Sequence, residues 1–335
     1  MRFIFEPFNH ICSPKIIHYR AINKFILIII SLTAYVSAYA AEDTFRVKSV
    51  ESAFAFDNRL EFFIGPAFRF DSLNWNEAGA NVNIASELKW DNLAIAQIEA
   101  GLKFNINNNW IAYATFDFGR VSSGSNQDSD YNGDNRTLEY SRSNNEAGGE
   151  VMDASIALGR AFPLLTRNGD NWLTITPQLG LAIHQQYLTM SKGFQTLPAS
   201  GSFPGLNNSY NAQWRSTWMG VDTRLMINPD WYVTAKVEYH WADYTAYANW
   251  NLRTEFQHPL SFVHTAKGHG LLLSGGAIYL INTSWNLNLQ ISVYDWQSDA
   301  GIDQTFFSDG TVAFYKLNEV NWKSTAFSFR LSRHF

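Results

Sequence analysis

The segment Trp231-Tyr232-Val233-Thr234-Ala235-Lys236-Val237-Glu238-Tyr239-His240-Trp241 alternates without a break. Trp231, Val233, Ala235, Val237, Tyr239 and Trp241 share one parity, while Thr234, Lys236, Glu238 and His240 share the other. Side chains of a strand point alternately to its two faces, so one face here meets an apolar medium and the other a polar one. Trp231 and Trp241 are ten residues apart on the apolar face. At about 3.3 Å per residue and a tilt near 40°, that distance spans about 25 Å, the height of the apolar band on a membrane barrel.

The same pattern recurs on both sides of this segment. Leu60, Phe62, Ile64, Phe68 and Phe70 alternate with Glu61, Arg69 and Asp71. Ala94, Ala96, Ile98, Ala100, Leu102 and Phe104 alternate with Gln97, Glu99, Lys103 and Asn105. Further runs begin at Leu173 and at Trp285. Four short turns separate strand pairs, at 107–109, 168–171, 228–230 and 282–284, and each is followed at once by tryptophan. Trp110, Trp172, Trp231 and Trp285, with Trp241, are therefore expected in interfacial girdles, where an indole sits at headgroup depth. Long polar connections occupy roughly 72–84, 123–148, 191–212, 251–266 and 298–318. Short turns opposite long loops are the asymmetry of outer-membrane barrels, with periplasmic turns and extracellular loops. Counting strands between them gives ten. The fold class expected is all-β, a transmembrane antiparallel barrel. A soluble β-sandwich also alternates, but it offers no reason for a tryptophan after every short turn.

Composition agrees with that reading. The chain is 46% hydrophobic and only 16% charged, yet its mean hydropathy is negative, because apolar residues are spread over alternate positions. The one long apolar run, Phe25–Val36, follows Arg20 and Lys24 and precedes Ser37-Ala38-Tyr39-Ala40. It is too short to cross about 30 Å of hydrocarbon and reads as a secretory signal, residues 1–40, cleaved near Ala40. Residues 41–57 are then an N-terminal periplasmic segment and 58–335 the barrel. Cleavage removes Cys12, the only cysteine, so the mature chain has neither disulfide nor thiolate metal site. It also removes four of 25 basic and one of 30 acidic residues, which leaves a net charge of −8 and argues against a nucleic-acid partner.

The last strand carries Phe327, Phe329, Leu331 and Phe335 and ends on Phe335, with Arg333 breaking the apolar alternation. It resembles the terminal signal read by the barrel-assembly machinery of bacterial outer membranes, which implies that machinery and outer-membrane lipid as partners and the cell outer membrane as location. Ten strands with five outer connections resemble the omptin family, endopeptidases with an Asp-Asp pair at one rim and an Asp-x-His pair opposite. Leu88-Lys89-Trp90-Asp91-Asn92 looks omptin-like, and Asp128 and Asp130 stand where that family has its Asp-Asp pair. The opposite rim departs from the pattern: Ala248-Asn249-Trp250-Asn251-Leu252-Arg253 has no Asp-x-His, leaving His258 and His264 as substitutes. A broader resemblance over roughly 58–335 is to the Protochlamydia outer membrane protein family. It rests on Asn126-Gln127-Asp128-Ser129-Asp130-Tyr131, Ser141-Arg142-Ser143-Asn144-Asn145, Glu238-Tyr239-His240-Trp241-Ala242, Asn249-Trp250-Asn251-Leu252-Arg253 and Leu317-Asn318-Glu319-Val320. That likeness implies a porin-like or structural surface protein and carries no enzymatic site.

Two sets of residues are candidates for chemistry. Asp128-x-Asp130-x-Asn132-Gly133-Asp134, closed by Glu139, fits the twelve-residue calcium-loop template, in which crowded oxygens are neutralised by a hard cation. The plainer reading is a solvated Asn/Asp-rich loop with no cofactor. Inward parity is assigned to Glu61, Arg69, Glu99, Lys103, Asp117, Asp153, His184, Arg224, Lys236, Glu238 and His240. These either line a path for ions or small polar solutes or fill the lumen with paired charges. Eight strands are just filled by side chains, so ten favour a narrow or plugged interior. The expectation is a non-enzymatic surface barrel, porin-like or structural. An omptin-type endopeptidase using Asp128 and Asp130 and a loop-borne adhesin are the alternatives.

Overall fold

A computed structural model describes residues 59–335 apart from 108, 168 and 169. The expected leader 1–40 and segment 41–57 lie outside the described residues. Thirteen strands follow in order: β1 Leu60–Glu77, β2 Ser86–Asn105, β3 Trp110–Gly133, β4 Thr137–Arg160, β5 Phe162–Arg167, β6 Asp170–Leu197, β7 Gly201–Ser202, β8 Asn208–Asn228, β9 Trp231–Asn249, β10 Phe262–Leu280, β11 Trp285–Ser298, β12 Gly301–Phe306 and β13 Val312–His334. They form ten antiparallel staves. β5 continues β4 along β6, and β12 continues β11 between β10 and β13. β1 pairs with both β2 and β13, which closes the ring and leaves no edge. The Phe335 amide bonds the Leu60 carbonyl at 2.8 Å at the seam.

Facing follows the alternation read from the sequence. Phe62, Ile64, Phe68 and Phe70 are exposed on the outside, while Arg69, Asp71, Leu73 and Trp75 are buried within. The outer apolar band ends on stave after stave at charged pairs such as Arg120–Glu150 and Lys267–Asp243. Register shifts at Asp71/Leu73, Asp91/Ala94 and Arg120/Ser125 lie at the same level. Bulges of this kind bend strands where the medium around them changes.

The staves run far beyond that level. β3 has 24 residues, which at the same rise and tilt is about 60 Å, more than twice the apolar band. Most of the expected loops are therefore strand. Segment 123–148 is a hairpin whose non-strand part is Asp134–Arg136, and segment 191–212 is largely β6 and β8. The physical reason is that wall outside the bilayer needs no apolar outer face, so it loses the alternation that marks the spanning part.

The expected girdle also needs one correction. Trp110, Trp231 and Trp241 are exposed outward, and Trp285 lies beneath the Arg333 guanidinium at 5.3 Å. Trp172 instead packs against the buried cluster Met226, Tyr232 and Leu280 at the short-turn end. It has the even parity of His184 and Gln186, which face the lumen on the same strand. Phe327, Phe329, Leu331 and Phe335 are all exposed outward.

Candidate functional site

The lumen is layered. In the half nearest the short turns is a cavity of 290 Å³ whose walls include Glu61, Lys103, Asp117, Arg224 and Lys236. Its charges are largely paired: Arg330 with Glu99 at 2.6 Å, Lys103 with Glu61 at 3.8 Å, and Lys236 with Glu238. His240 Nε2 donates to Glu238 at 3.0 Å, and its other nitrogen bonds Ser216. The lumen candidates Glu99, Lys103, Asp117, His184, Lys236, Glu238 and His240 thus all line this one space.

Above the cavity a buried ionic network crosses the barrel. Arg69 of β1 pairs with Asp71 at 2.9 Å and with Asp153 of β4, which also holds His184 Nδ1 at 2.9 Å. Gln186 of β6 reaches Asp71 of β1 at 2.9 Å. Such a network is tolerable in a low-dielectric interior because each carboxylate meets more than one donor.

Next comes an aromatic layer. Trp90, Trp214, Trp296 and Trp322 are wholly buried, joined by Leu73, Leu88, Leu93 and Leu188 in one cluster. Rings from opposite staves touch: Trp75 of β1 and Tyr210 of β8 have centroids 5.9 Å apart, and His184 of β6 and Trp322 of β13 5.4 Å. Side chains that meet across a barrel leave no bore between them.

The outermost layer is acidic and lies beyond the apolar band. His264 of β10 and Asp303 of β12 are direct cross-strand partners, with Nε2 and Oδ2 3.3 Å apart. Glu77, at the end of β1, brings a carboxylate to the same point, and the ligating atoms of the three lie within 4.8 Å of one another. A bulge at Asn76/Glu77 against β13 re-aims the strand end there. Burial, together with a hydrogen bond to Asp303 and the charges of Asp303, Asp130 and Asp128, raises Glu77 well above the usual carboxylate range. Burial alone would raise Asp303 too, but bonds from Glu77, His264 and Thr305 hold it low. Burial and the neighbouring Asp130 push Asp128 up to about 7, against the pull of Arg253. Asp130 is raised by burial, and Arg253 stands 3.7 Å away.

The residues of the calcium template are not brought together. Asp128 pairs in the ladder with Leu88 and Ser143, and Asp130 with Ser86 and Ser141, so both lie in paired strand. Asn132 and Asp134 are exposed, Asp134 accepts the Asn83 amide at 2.8 Å, and Glu139 is bound by Arg142. Gly133 is extended at φ −133°, and the turn falls instead on Asn135 and Arg136, both at positive φ. A β-hairpin tip has replaced the wrapped loop that the template requires. Of the two substitute histidines, exposed His258 bonds Asn249 and the Arg253 carbonyl, while His264 is at the acidic cluster. Glu77 and Asp303 were missed because their segments read as loop; the alternating Asp303-Gln304-Thr305 was the one available signal.

The family model for the Protochlamydia outer membrane protein matches residues 63–335, nearly the whole described barrel. The chain belongs to that family. One solved barrel shares its fold. The outer membrane protease OmpT from Escherichia coli is 13% identical, with a TM-score of 0.65 over 87% of this chain and 99% of that one. The translocator domain of the autotransporter NalP from Neisseria meningitidis is 11% identical, with a TM-score of 0.38 over 91% of this chain and 98% of that one. No curated protein matches. At such identity the protease shows the fold alone. Membership in the Protochlamydia family and the ten-stave ring make this chain an outer-membrane β-barrel protein.

Proposed function

We propose that this barrel is a structural surface protein of the outer membrane, non-enzymatic and closed to solute flow. The observation that carries the reading is the aromatic layer, in which rings from opposite staves touch and four tryptophans have lost all contact with water. The charged cavity beneath it is then a water-filled vestibule on the short-turn side, not half of a conduit. The non-enzymatic part rests on His264. It is fully buried and its Nδ1 bonds Tyr210 at 2.8 Å, so a peptide at the outer mouth does not reach it.

Planar-bilayer recording of the purified chain tests this. The unmodified protein is expected to give no discrete conductance steps, while Trp296→Ala with Trp322→Ala opens the layer and yields them. Steps from the unmodified protein would overturn the closed reading in favour of a porin. Cleavage of a dibasic peptide, lost in Asp128→Ala with Asp130→Ala, would overturn the non-enzymatic one.

A further inference from the structure

Glu77, His264 and Asp303 differ from an ordinary buried hydrogen-bonded trio in how their outer atoms are held. Asp303 Oδ1 accepts from the Thr305 hydroxyl at 2.9 Å, which leaves Oδ2 directed toward the histidine. His264 Nδ1 is occupied by Tyr210 Oη at 2.8 Å, and Tyr210 is fixed in turn by Tyr244 at 2.7 Å, which leaves Nε2 directed inward. Glu77 hydrogen-bonds Asp303, and its Oε2 is shielded from solvent with no hydrogen-bond partner. Each residue of the trio thus presents one atom to a common point. For His264 and Asp303, groups outside the trio fix the remaining atom. That is the arrangement by which proteins orient metal ligands, setting the histidine tautomer through its far nitrogen.

The spacing points the same way. A charged imidazole–carboxylate hydrogen bond closes to about 2.7–2.9 Å. Here the two atoms stand 3.3 Å apart, although both residues are fully buried and lie opposite each other in the ladder. Two ligands each about 2.0–2.1 Å from zinc, at a tetrahedral angle, stand about 3.3 Å apart. One imidazole and two carboxylates suit a borderline divalent transition ion better than calcium, which takes six to eight oxygens. Glu77 is the half-buried member of the three.

We propose that Glu77, His264 and Asp303 form a site for one divalent transition ion of the zinc class, joining the first, eighth and ninth staves just inside the outer mouth. The three protein ligands leave a fourth position open to water. Thr305, Tyr210 and Tyr244 are positioning residues. The site does not depend on whether the lumen conducts.

Cobalt(II) is the probe, added to the untagged chain purified in detergent, with heat-modifiable gel migration confirming a folded barrel in each variant. One equivalent is expected to bind saturably with the intense visible bands of a tetrahedral site, to be displaced by zinc, and to raise the melting temperature. Glu77→Gln, a near-isosteric change at the half-buried member, weakens binding at least about tenfold, and His264→Gln abolishes it. Tyr210→Phe and Thr305→Val weaken it by about 10–100-fold while keeping the tetrahedral spectrum. Absence of saturable binding in the unmodified chain overturns the proposal. So does an affinity that changes less than about tenfold in folded Glu77→Gln, which decides the matter should His264→Gln not fold.

Discussion

The two halves of the lumen solve one problem in different ways. Toward the short turns, charges face a cavity, and Lys236 retains 29% of its side-chain exposure beside Glu238, which retains 6%. Toward the outer mouth the interior is dry, and Arg69 is 2% exposed against Asp71 and Asp153. The ion pairs look alike as distances but not as energies. A hydrated pair is screened and contributes about 0–1 kcal/mol, whereas a dry pair is expensive to break because it strands a charge. The closed reading of this barrel therefore stands on its upper half alone, and the largest mutational effects belong there.

Arg69→Met is the sharpest way to break the comparison. It leaves Asp71 and Asp153 buried without their guanidinium, and it is expected to destabilise the barrel by about 3–5 kcal/mol. Lys236→Met removes a cation that is itself part-exposed, and buried Glu238 keeps its bond to His240, so the loss should be smaller, about 1–2 kcal/mol. Denaturant midpoints followed by tryptophan fluorescence compare the two directly. Equal losses would mean that the cavity is as dry as the network above it.

The sequence made this division only half legible. Spanning strands were readable because lipid on one side and a polar lumen on the other force strict alternation, as in Trp231–Trp241 and Leu60–Phe70. Arg69, Glu99, His184 and Glu238 could be assigned to the interior by parity for the same reason. Beyond the bilayer the outer face meets water, so parity no longer distinguishes wall from loop. Glu77, Asp303 and the upper parts of β3, β4 and β6 were lost in that silence. Trp172 shows a second limit: position after a turn suggested the girdle, while its even parity, shared with His184, placed it inside. Contacts between opposite staves, such as Trp75 with Tyr210, join residues far apart in sequence and leave no local signature.

The acidic outer layer gives the next effect, in pH. Asp128 has an ordinary value of 3.8 and is pushed up to about 7 by burial and by Asp130. A carboxyl raised on folding favours its protonated form, so its contribution is complete below about 3.8. That contribution is lost as pH rises through about 7. The β3–β4 hairpin should therefore be nicked faster by protease at pH 8 than at pH 5, and Asp128→Asn should flatten the difference. The paired charges of the cavity half provide the control, since the short turns should show no such change. A profile unaltered by Asp128→Asn would place the titration elsewhere.

The smallest effect is at the opposite end of the barrel, where the sequence pattern itself breaks. Arg333 has the outward parity of Phe329 and Leu331, a position that lipid should forbid to a charge. Its guanidinium lies over two rings, Trp285 at 5.3 Å and Phe335 at 4.7 Å. Those rings sit at the short-turn interface, so the cation stacks on aromatic faces while its polar edge stays at headgroup depth. Arg333→Leu would restore the alternation and still be unfavourable, by about 0.5–1 kcal/mol, because the stacking is lost where the added apolar surface gains little. Refolding midpoints into bilayers, compared with Arg333→Lys, check this. A more stable Arg333→Leu would show that the arginine is a defect of the last stave and not one of its anchors.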